Sequence, residues 1–516
     1  MATFPPRAAA GTIAGLCYES SSELTASDSE LNAPFRLIVP RAARLNCPSE
    51  SEGKAVPAGE ALIAALDAVA REATLFAALW FVVGGIDDLL VDLIYVARRV
   101  RGRCEMLPAL DRPVPAGRIA IFVPAWDESA VIGRMLRAAL ARFEHPDYRI
   151  YVGTYPNDPA TIDAVAEVAL EDARVRLVIG PRPGGTTKAD CLNTLWRALL
   201  RDEAAEGFTA SAVALHDAED VVHPLELRVY AHGLIEHAAV QLPVLPLAHP
   251  HSRFFAGHYL DEFAESHGRS LVVRQAVGAG LPFAGVGCAI RRDVLGRLAA
   301  MRNGAPFDAA SLTEDYELGL AIAAMGAPAR LVRVTEAPGG PLIAIRAYFP
   351  STIDAAVKQK ARWMIGIALA GWDRTGWGGL LQVGDNWMRM RDRRATLEIP
   401  VLALAYLSIL FWGLSLGAHL LAGTRLPAQS PLMQTVLWTN LALLLWRLAV
   451  RAAFVGRAYG WREALWSVPR VLSSNAVALL AARRALFDYV GMLGGAAPRW
   501  DKTAHQFPDL AKEPGG

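Results

Sequence analysis

The sequence predicts an α/β fold: a Rossmann-like, mostly parallel sheet in a central cytoplasmic domain, carried between transmembrane and interfacial α-helices. Three observations predict it. Strand-length apolar runs alternate with helix-period segments through the middle of the chain. Long, nearly uncharged stretches flank that middle on both sides. Hydrophobic residues make up 53% of the chain and mean hydropathy is +0.25, high for a purely soluble protein.

The central domain covers about residues 105–370. Ile119-Ala-Ile-Phe-Val123 reads as a buried strand, and Ile132, Met135, Leu136, Ala139, Leu140 and Phe143 then share one helical face. Strands over 149–153, 175–179 and 212–216 alternate with helices over 159–170 and 188–200. Such alternation implies a parallel sheet covered on both faces, with ligands bound beyond the carboxyl ends of its strands. The loops after Val123, Gly153 and His216 are therefore where chemistry is expected.

Three apolar stretches are read as membrane spans: residues 73–96, 399–422 and 432–450. Asp87, Asp88 and Asp92 interrupt the first, which leaves a buried helix hairpin as the competing reading. Arg98, Arg99, Arg101 and Arg103 follow the first span; Arg389, Arg391, Arg393 and Arg394 precede the second; Arg447 and Arg451 close the third. The positive-inside rule then places the central domain and the C-terminus in the cytoplasm. Residues 371–395 read as an amphipathic interfacial segment and 451–516 as a cytoplasmic or interfacial C-terminal region. Within the latter, the run 471–482 is too short to span. Residues 1–60, rich in Ser, Glu, Pro and Ala, read as a poorly ordered extension.

Composition also excludes. A formal net charge of +1 gives no electrostatic case for nucleic-acid binding. The cysteines, five and scattered, match neither a disulfide framework nor a zinc site and suit reduced thiols. Neither G-x-x-x-x-G-K-[ST] nor a kinase motif set is present, which weighs against phosphoryl transfer.

Three motifs carry candidate chemistry. Asp217-Ala-Glu219-Asp220 follows a strand directly, and clustered carboxylates there suit Mg²⁺ or Mn²⁺. A helix N-terminus is the competing explanation. Thr313-Glu314-Asp315 opens a helix, where Ser311 and Glu314 have capping-box spacing. Gln359, Arg362 and Trp363 share a helical face, and a planar guanidinium beside an indole suits a phosphate plus a sugar ring. An interfacial helix would use the same residues.

In this order the motifs resemble family-two glycosyltransferases of the GT-A fold, in the membrane group with a Gln-x-x-Arg-Trp motif. The resemblance runs from Val123-Pro124 through Asn157-Asp158, Lys188 with Asn193, Asp217-Ala-Glu219, Gly285-Val-Gly287 with Arg291-Arg292, and Thr313-Glu-Asp315 to Gln359–Trp363. Gly85-Ile-Asp-Asp-Leu89 with Asp92, Tyr155-Pro-Asn-Asp158 and His216-Asp-Ala-Glu-Asp220 are similar to the phage-adsorption protein B branch of inner-membrane glycosyltransferases. The resemblance implies a hexosyltransferase that inverts configuration. Its donor would be a nucleotide-sugar, UDP-linked by expectation. Its acceptor would be a glycan or lipid at the bacterial inner membrane, in cell-envelope or exopolysaccharide synthesis, with room for an export partner protein. Asp217 and Glu219 would hold the Mg²⁺ or Mn²⁺. Asn157 and Asp158 would lie near base and ribose, Pro124 and Glu128 at the first loop, and Lys188 near the nucleotide. Asp315 would be the catalytic base, Gln359 and Arg362 would face the diphosphate, and Trp363 the acceptor sugar. Asp127 stands where many members have Asn, and Glu219 where the usual metal motif has Asp, so Asp220 is a rival ligand. The alternative function is a membrane scaffold or export partner with a degenerate transferase domain.

Overall fold

The computed structural model describes residues 58–101, 113–337, 339–495 and 505–509. The expected N-terminal extension, apart from its last residues, and Cys17, Cys47 and Cys104 lie outside these. Cys191 and Cys288 are buried free thiols.

Seven strands form one mixed sheet: β1 (Ile119–Pro124), β2 (Tyr148–Thr154), β3 (Val175–Ile179), β4 (Ala212–Leu215), β5 (Ala239–Gln241), β6 (Cys288–Arg291) and β7 (Ala329–Leu331). Their spatial order is β3-β2-β1-β4-β6-β5-β7. β1 to β4 are mutually parallel, with Ile119 opposite Tyr148 and Ala212. β6 runs antiparallel to β4 and β5. The four strands read from the sequence are thus the parallel half.

β1 is buried on both faces, which is why it reads as a continuous apolar run. Ile119, Ile121 and Val123 point to one core with Ile132, Leu136 and Val165. Ala120 and Phe122 point to the other with Leu192, Leu195 and Trp196. Each large apolar side chain buried this way contributes about 1.5–3 kcal/mol. Local signals set the helix ends. Asp158 caps the helix Pro159–Glu171, whose first residue is proline. Thr187 caps Lys188–Glu206, which ends at Gly207 in the left-handed region (φ 68°).

Outside the sheet, a helix of 43 residues, Ala58–Val100, packs along Ala395–Ala422 and Pro431–Tyr459. The stretch Gly59–Val100 and the helix Ala395–Ala422 are long and apolar enough to cross a membrane. The third expected span falls in Pro431–Tyr459, which is not one of that pair. The acids of the first helix are partnered. Asp67 meets Ser415 and His419, the latter at 3.1 Å, and Asp92 meets Arg269 and Trp446.

The expected interfacial segment 371–395 packs on the protein through one face and leaves Leu380, Leu381 and Val383 exposed. Its helix Val383–Arg393 buries Asp385, Met388, Arg389 and Arg393. The Arg393 guanidinium lies against the rings of Trp372 and Trp377, 5.0 and 4.6 Å from their centroids. Trp372 and Trp377 thus pack on Arg393 while staying about half exposed. The run 471–482 lies within the helix Arg470–Leu493, whose Val477, Ala481 and Ala485 pack on the Ile353–Trp363 side.

Candidate active site

One pocket lies beyond the carboxyl ends of β1 and β4. Lys188, Asp217 and Glu219 line it from the sheet side, Asp315 from the helix Glu314–Ala324, and Gln359, Arg362 and Trp363 from the helix Ile353–Trp363. Seven of the residues singled out in the sequence therefore converge, from four separate parts of the chain.

The loop after β4 is fixed from beneath by His216, which is fully buried. Its Nδ1 lies 3.0 Å from Asp220 Oδ2 and its Nε2 lies 2.8 Å from Glu226 Oε1. Burial lowers an imidazole, but Glu226 and Asp220 more than offset that and hold His216 up at about 10, as a buried imidazolium. Asp220 Oδ2 also accepts the Asp217 backbone N–H at 3.0 Å. Asp220 thereby shapes the loop while lining the same pocket as Asp217 and Glu219.

Lys188 Nζ lies 2.5 Å from Asp217 Oδ1. Burial alone would lower this ammonium, yet Asp217, Glu314 and Asp315 hold it above its ordinary value. It also donates to Gly285 O at 3.4 Å. Gly285 has φ +78°, and a Cβ there would sit 2.7 Å from Asp315 Oδ2 and 3.3 Å from Lys188 Nζ. Only glycine allows both that backbone and that approach.

The helix bearing Asp315 departs from the expected capping box. Thr313 is its N-cap and makes no side-chain cap bond. Ser311 Oγ accepts from Thr313 N at 3.1 Å and donates to Glu317 Oε1 at 2.7 Å, one turn beyond Glu314. Glu314 is released from capping and lines the pocket beside Asp315. Burial first, and Asp315 second, push Glu314 up to about 7. Burial also raises Asp315, against the pull of Lys188.

On the facing helix, Gln359 Oε1 and Arg362 Nε are buried without a hydrogen-bond partner among the described residues. Buried polar groups normally find one, so these are available to a ligand. Trp363 is braced edge-on by Tyr259, with centroids 6.1 Å apart, and Lys360 Nζ lies 4.8 Å from its ring centre.

The sequence reading missed His505. The C-terminal tail returns to the sheet, Phe507 buries in the core, and Arg134 stacks on its ring at 5.8 Å. His505 Nδ1 then sits 2.7 Å from Glu128 Oε1 and 3.3 Å from Glu219 Oε2. One ligand atom from each of Glu128, Glu219 and His505 falls within 4.8 Å of the others. Burial pushes Glu219 up to about 8, helped by Asp217, Glu128 and Asp220 and opposed by His505. Crowded, buried acids of this kind fit a divalent cation, with Asp217 alongside.

The first-loop residues are placed differently from expectation. Asp158 accepts the backbone N–H of Asp127 at 2.5 Å and of Thr161 at 3.3 Å. Asp127 has φ 56°, a strained value held by that bond. Asn157 Oδ1 accepts Gly184 N–H at 2.5 Å. Both side chains pin loops rather than line the pocket, Pro124 is buried at the end of β1, and Glu128 reaches the site through His505.

Residues 115–366 match the family described as glycosyltransferase like family 2. Bacteriophage adsorption protein B of Escherichia coli (strain K12) is 33% identical over 455 residues, covering 83% of this chain and 61% of that protein. Bacteriophage N4 adsorption protein B of Escherichia coli O157:H7 aligns to the same extent. The chain thus spans less than two thirds of the length of these relatives. A solved structure of the mannosyltransferase PcManGT from Pyrobaculum calidifontis, in complex with GDP-Man and Mn²⁺, is similar in fold. Its TM-score is 0.50 at 17% identity, over 82% of this chain and 99% of that one. Through its central α/β domain, this chain belongs to glycosyltransferase-like family 2.

Proposed function

We propose that the chain is an inverting, metal-dependent hexosyltransferase. It moves a sugar from a UDP-linked nucleotide-sugar to a glycan or lipid acceptor at the cytoplasmic face of a bacterial inner membrane, in envelope or exopolysaccharide synthesis. The observation that carries this reading is the convergence of Asp217, Glu219, Lys188, Asp315, Gln359 and Arg362 on one pocket. The mannosyltransferase of similar fold was solved with GDP-Man and Mn²⁺, which supports a sugar nucleotide and a divalent ion as the ligands.

Asp217, Glu219, Glu128 and His505 would hold Mg²⁺ or Mn²⁺. When bound, the ion supplies positive charge to the departing diphosphate. Arg362 would turn its unpartnered N–H to the diphosphate, Gln359 would accept from a sugar hydroxyl through its unpartnered amide oxygen, and Lys188 would supply a further cation. Asp315 takes the proton of the acceptor hydroxyl as that oxygen attacks the anomeric carbon, in line with the leaving diphosphate. Burial raises the basicity of its carboxylate, which suits that role. Trp363 offers its ring to the acceptor sugar.

The two long apolar helices and the positive flanks support membrane attachment with this pocket in the cytoplasm. A screen of nucleotide-sugars with membranes containing the full chain, reading nucleotide release and lipid- or polymer-bound label, tests the function. Acceptor-dependent release from one donor is the expected result. Absence of release from every donor, with folded protein present, would favour the scaffold reading.

A further inference from the structure

The acids of Gly85-Ile-Asp-Asp-Leu89 enter no step of the proposed reaction, yet they anchor an ion network. Asp87 accepts from Trp387 Nε1 at 2.7 Å and Arg394 Nη1 at 2.8 Å, and it pairs with Arg391. Asp88 accepts from Arg391 at 2.7 Å and from Arg394 at 3.1 Å. These partners lie on, or directly after, the helix Val383–Arg393. Asp392 is one residue further along and about 100° round that helix. Both its oxygens accept from Arg274 Nη1 at 2.8 Å, and one accepts from Tyr316 OH at 2.7 Å. Tyr316 is buried and follows Asp315 directly, and its backbone N–H donates to Asp315 Oδ1 at 2.8 Å.

The first turn that carries Asp315 has no side-chain N-cap bond, so its orientation depends on ties further along. One is Ser311 and Arg374 on Glu317; the other is Tyr316 on Asp392. A phenol donating to a half-buried, ionised carboxylate is a strong, directional bond. Arg391 and Asp392 therefore join, through a single helix, the carboxylates of the long N-terminal helix to the turn bearing the base.

We infer that Tyr316 and Asp392 are positioning residues for Asp315, and that the helix Val383–Arg393 couples Asp87 and Asp88 to that turn. The inference rests on Asp315 being the catalytic base.

The test uses the full chain in lipid nanodiscs, with donor and Mn²⁺ affinities, melting temperature and kcat measured on each variant. Tyr316→Phe removes one oxygen and keeps the ring. It is expected to lower kcat about tenfold with both affinities unchanged, because sub-ångström to 1 Å misplacement of a reacting group costs up to ~10²-fold. Should Tyr316→Phe fail to accumulate, Asp392→Asn weakens both bonds and is expected to lower kcat about threefold with the same affinity split. Normal kcat in the accumulated variant overturns the positioning role, as does a fall traced wholly to lost donor or metal binding. Coupling is read from Asp88→Asn combined with Tyr316→Phe. A lowered kcat in Asp88→Asn, with a double variant no slower than the slower single variant, supports one shared path; a normal kcat in Asp88→Asn, or multiplied losses, overturns it. Asp315→Asn is the control that separates the two levels. If it is inactive while Tyr316→Phe is normal, only this inference fails; if it is fully active, the base assignment fails and this inference with it.

Discussion

Replacing Asp315 by asparagine removes a charge and a proton acceptor while keeping size and shape. The amide oxygen can still accept from the Tyr316 N–H, now 2.8 Å away. Lys188 keeps its closest partner, Asp217 at 2.5 Å, so the donor side of the pocket is left standing. A general base contributes roughly 10²–10⁴-fold, which is about 2.7–5.4 kcal/mol in the transition state. The loss should appear in kcat, with donor affinity unchanged. The structure also sets the sign of the stability effect. Burial raises Asp315, and the neighbouring Glu314 is pushed up to about 7, partly by Asp315 itself. Neutralising one of two crowded, buried acids relieves repulsion, so the melting temperature should hold or rise. An acid serving only the helix dipole would instead leave the rate intact and cost about 0.3–1 kcal/mol of stability on removal. The assay is initial nucleotide release at saturating acceptor, beside equilibrium donor binding and a melting curve on the same preparation. Near-normal turnover with a lower melting temperature would refute the base assignment.

Three further outcomes follow from the same geometry. His505→Ala should weaken Mn²⁺ binding about 10-fold or more without unfolding the domain, since a cation site loses one of its ligands; unchanged Mn²⁺ affinity by titration would remove His505 from the site. Glu219, pushed up to about 8, holds a proton at neutral pH in the metal-free chain. Its raised value means the folded chain binds the extra proton, so its contribution to stability falls as pH rises from its ordinary range toward about 8. Metal binding must release that proton, so apparent Mn²⁺ affinity should rise with pH by up to ~10-fold per unit and flatten above about 8; calorimetry showing no proton release at neutral pH would contradict this. Asp158→Ala removes a helix cap and the latch on Asp127, and should cost about 0.5–2 kcal/mol, read as a fall in melting temperature; an unchanged melting temperature would mean that the loop is held elsewhere.

The parallel half of the sheet is legible because its strands, buried on both faces, read as unbroken apolar runs between helix-period segments. The antiparallel β6 and the short β5 and β7 carry only three or four residues each, too few for a periodic signal. Asp217 and Glu219 stand out because carboxylates clustered at a strand end repel one another without a cation; Asp315 is by itself an ordinary helix-start acid and is marked only by the family resemblance of its motif. The division of labour between Asp217, Glu219 and Asp220 is not local: it depends on His216 and Glu226 meeting beneath the loop. Asp158 has an ordinary capping position, and its commitment to the Asp127 amide shows only once two loops are brought together. His505 lies far along the chain from Glu128 and Glu219, close to Phe507, which is buried in the core. No periodicity marks such a return. The contact of Trp372 and Trp377 with Arg393 is equally invisible in the sequence, since indoles that suit a headgroup region suit an arginine sandwich as well.

The central claim, a sugar-nucleotide site built around a divalent ion at Asp217, is tested most directly by nucleotide binding to the full chain in nanodiscs. UDP, UDP-sugars and GDP would be titrated with Mn²⁺ and with chelator, in the wild type and in Asp217→Asn. The account predicts that one nucleotide binds the wild type with Mn²⁺, and that binding weakens at least about 10-fold both in chelator and in Asp217→Asn. Equal affinity with and without metal, and in the variant, would contradict it.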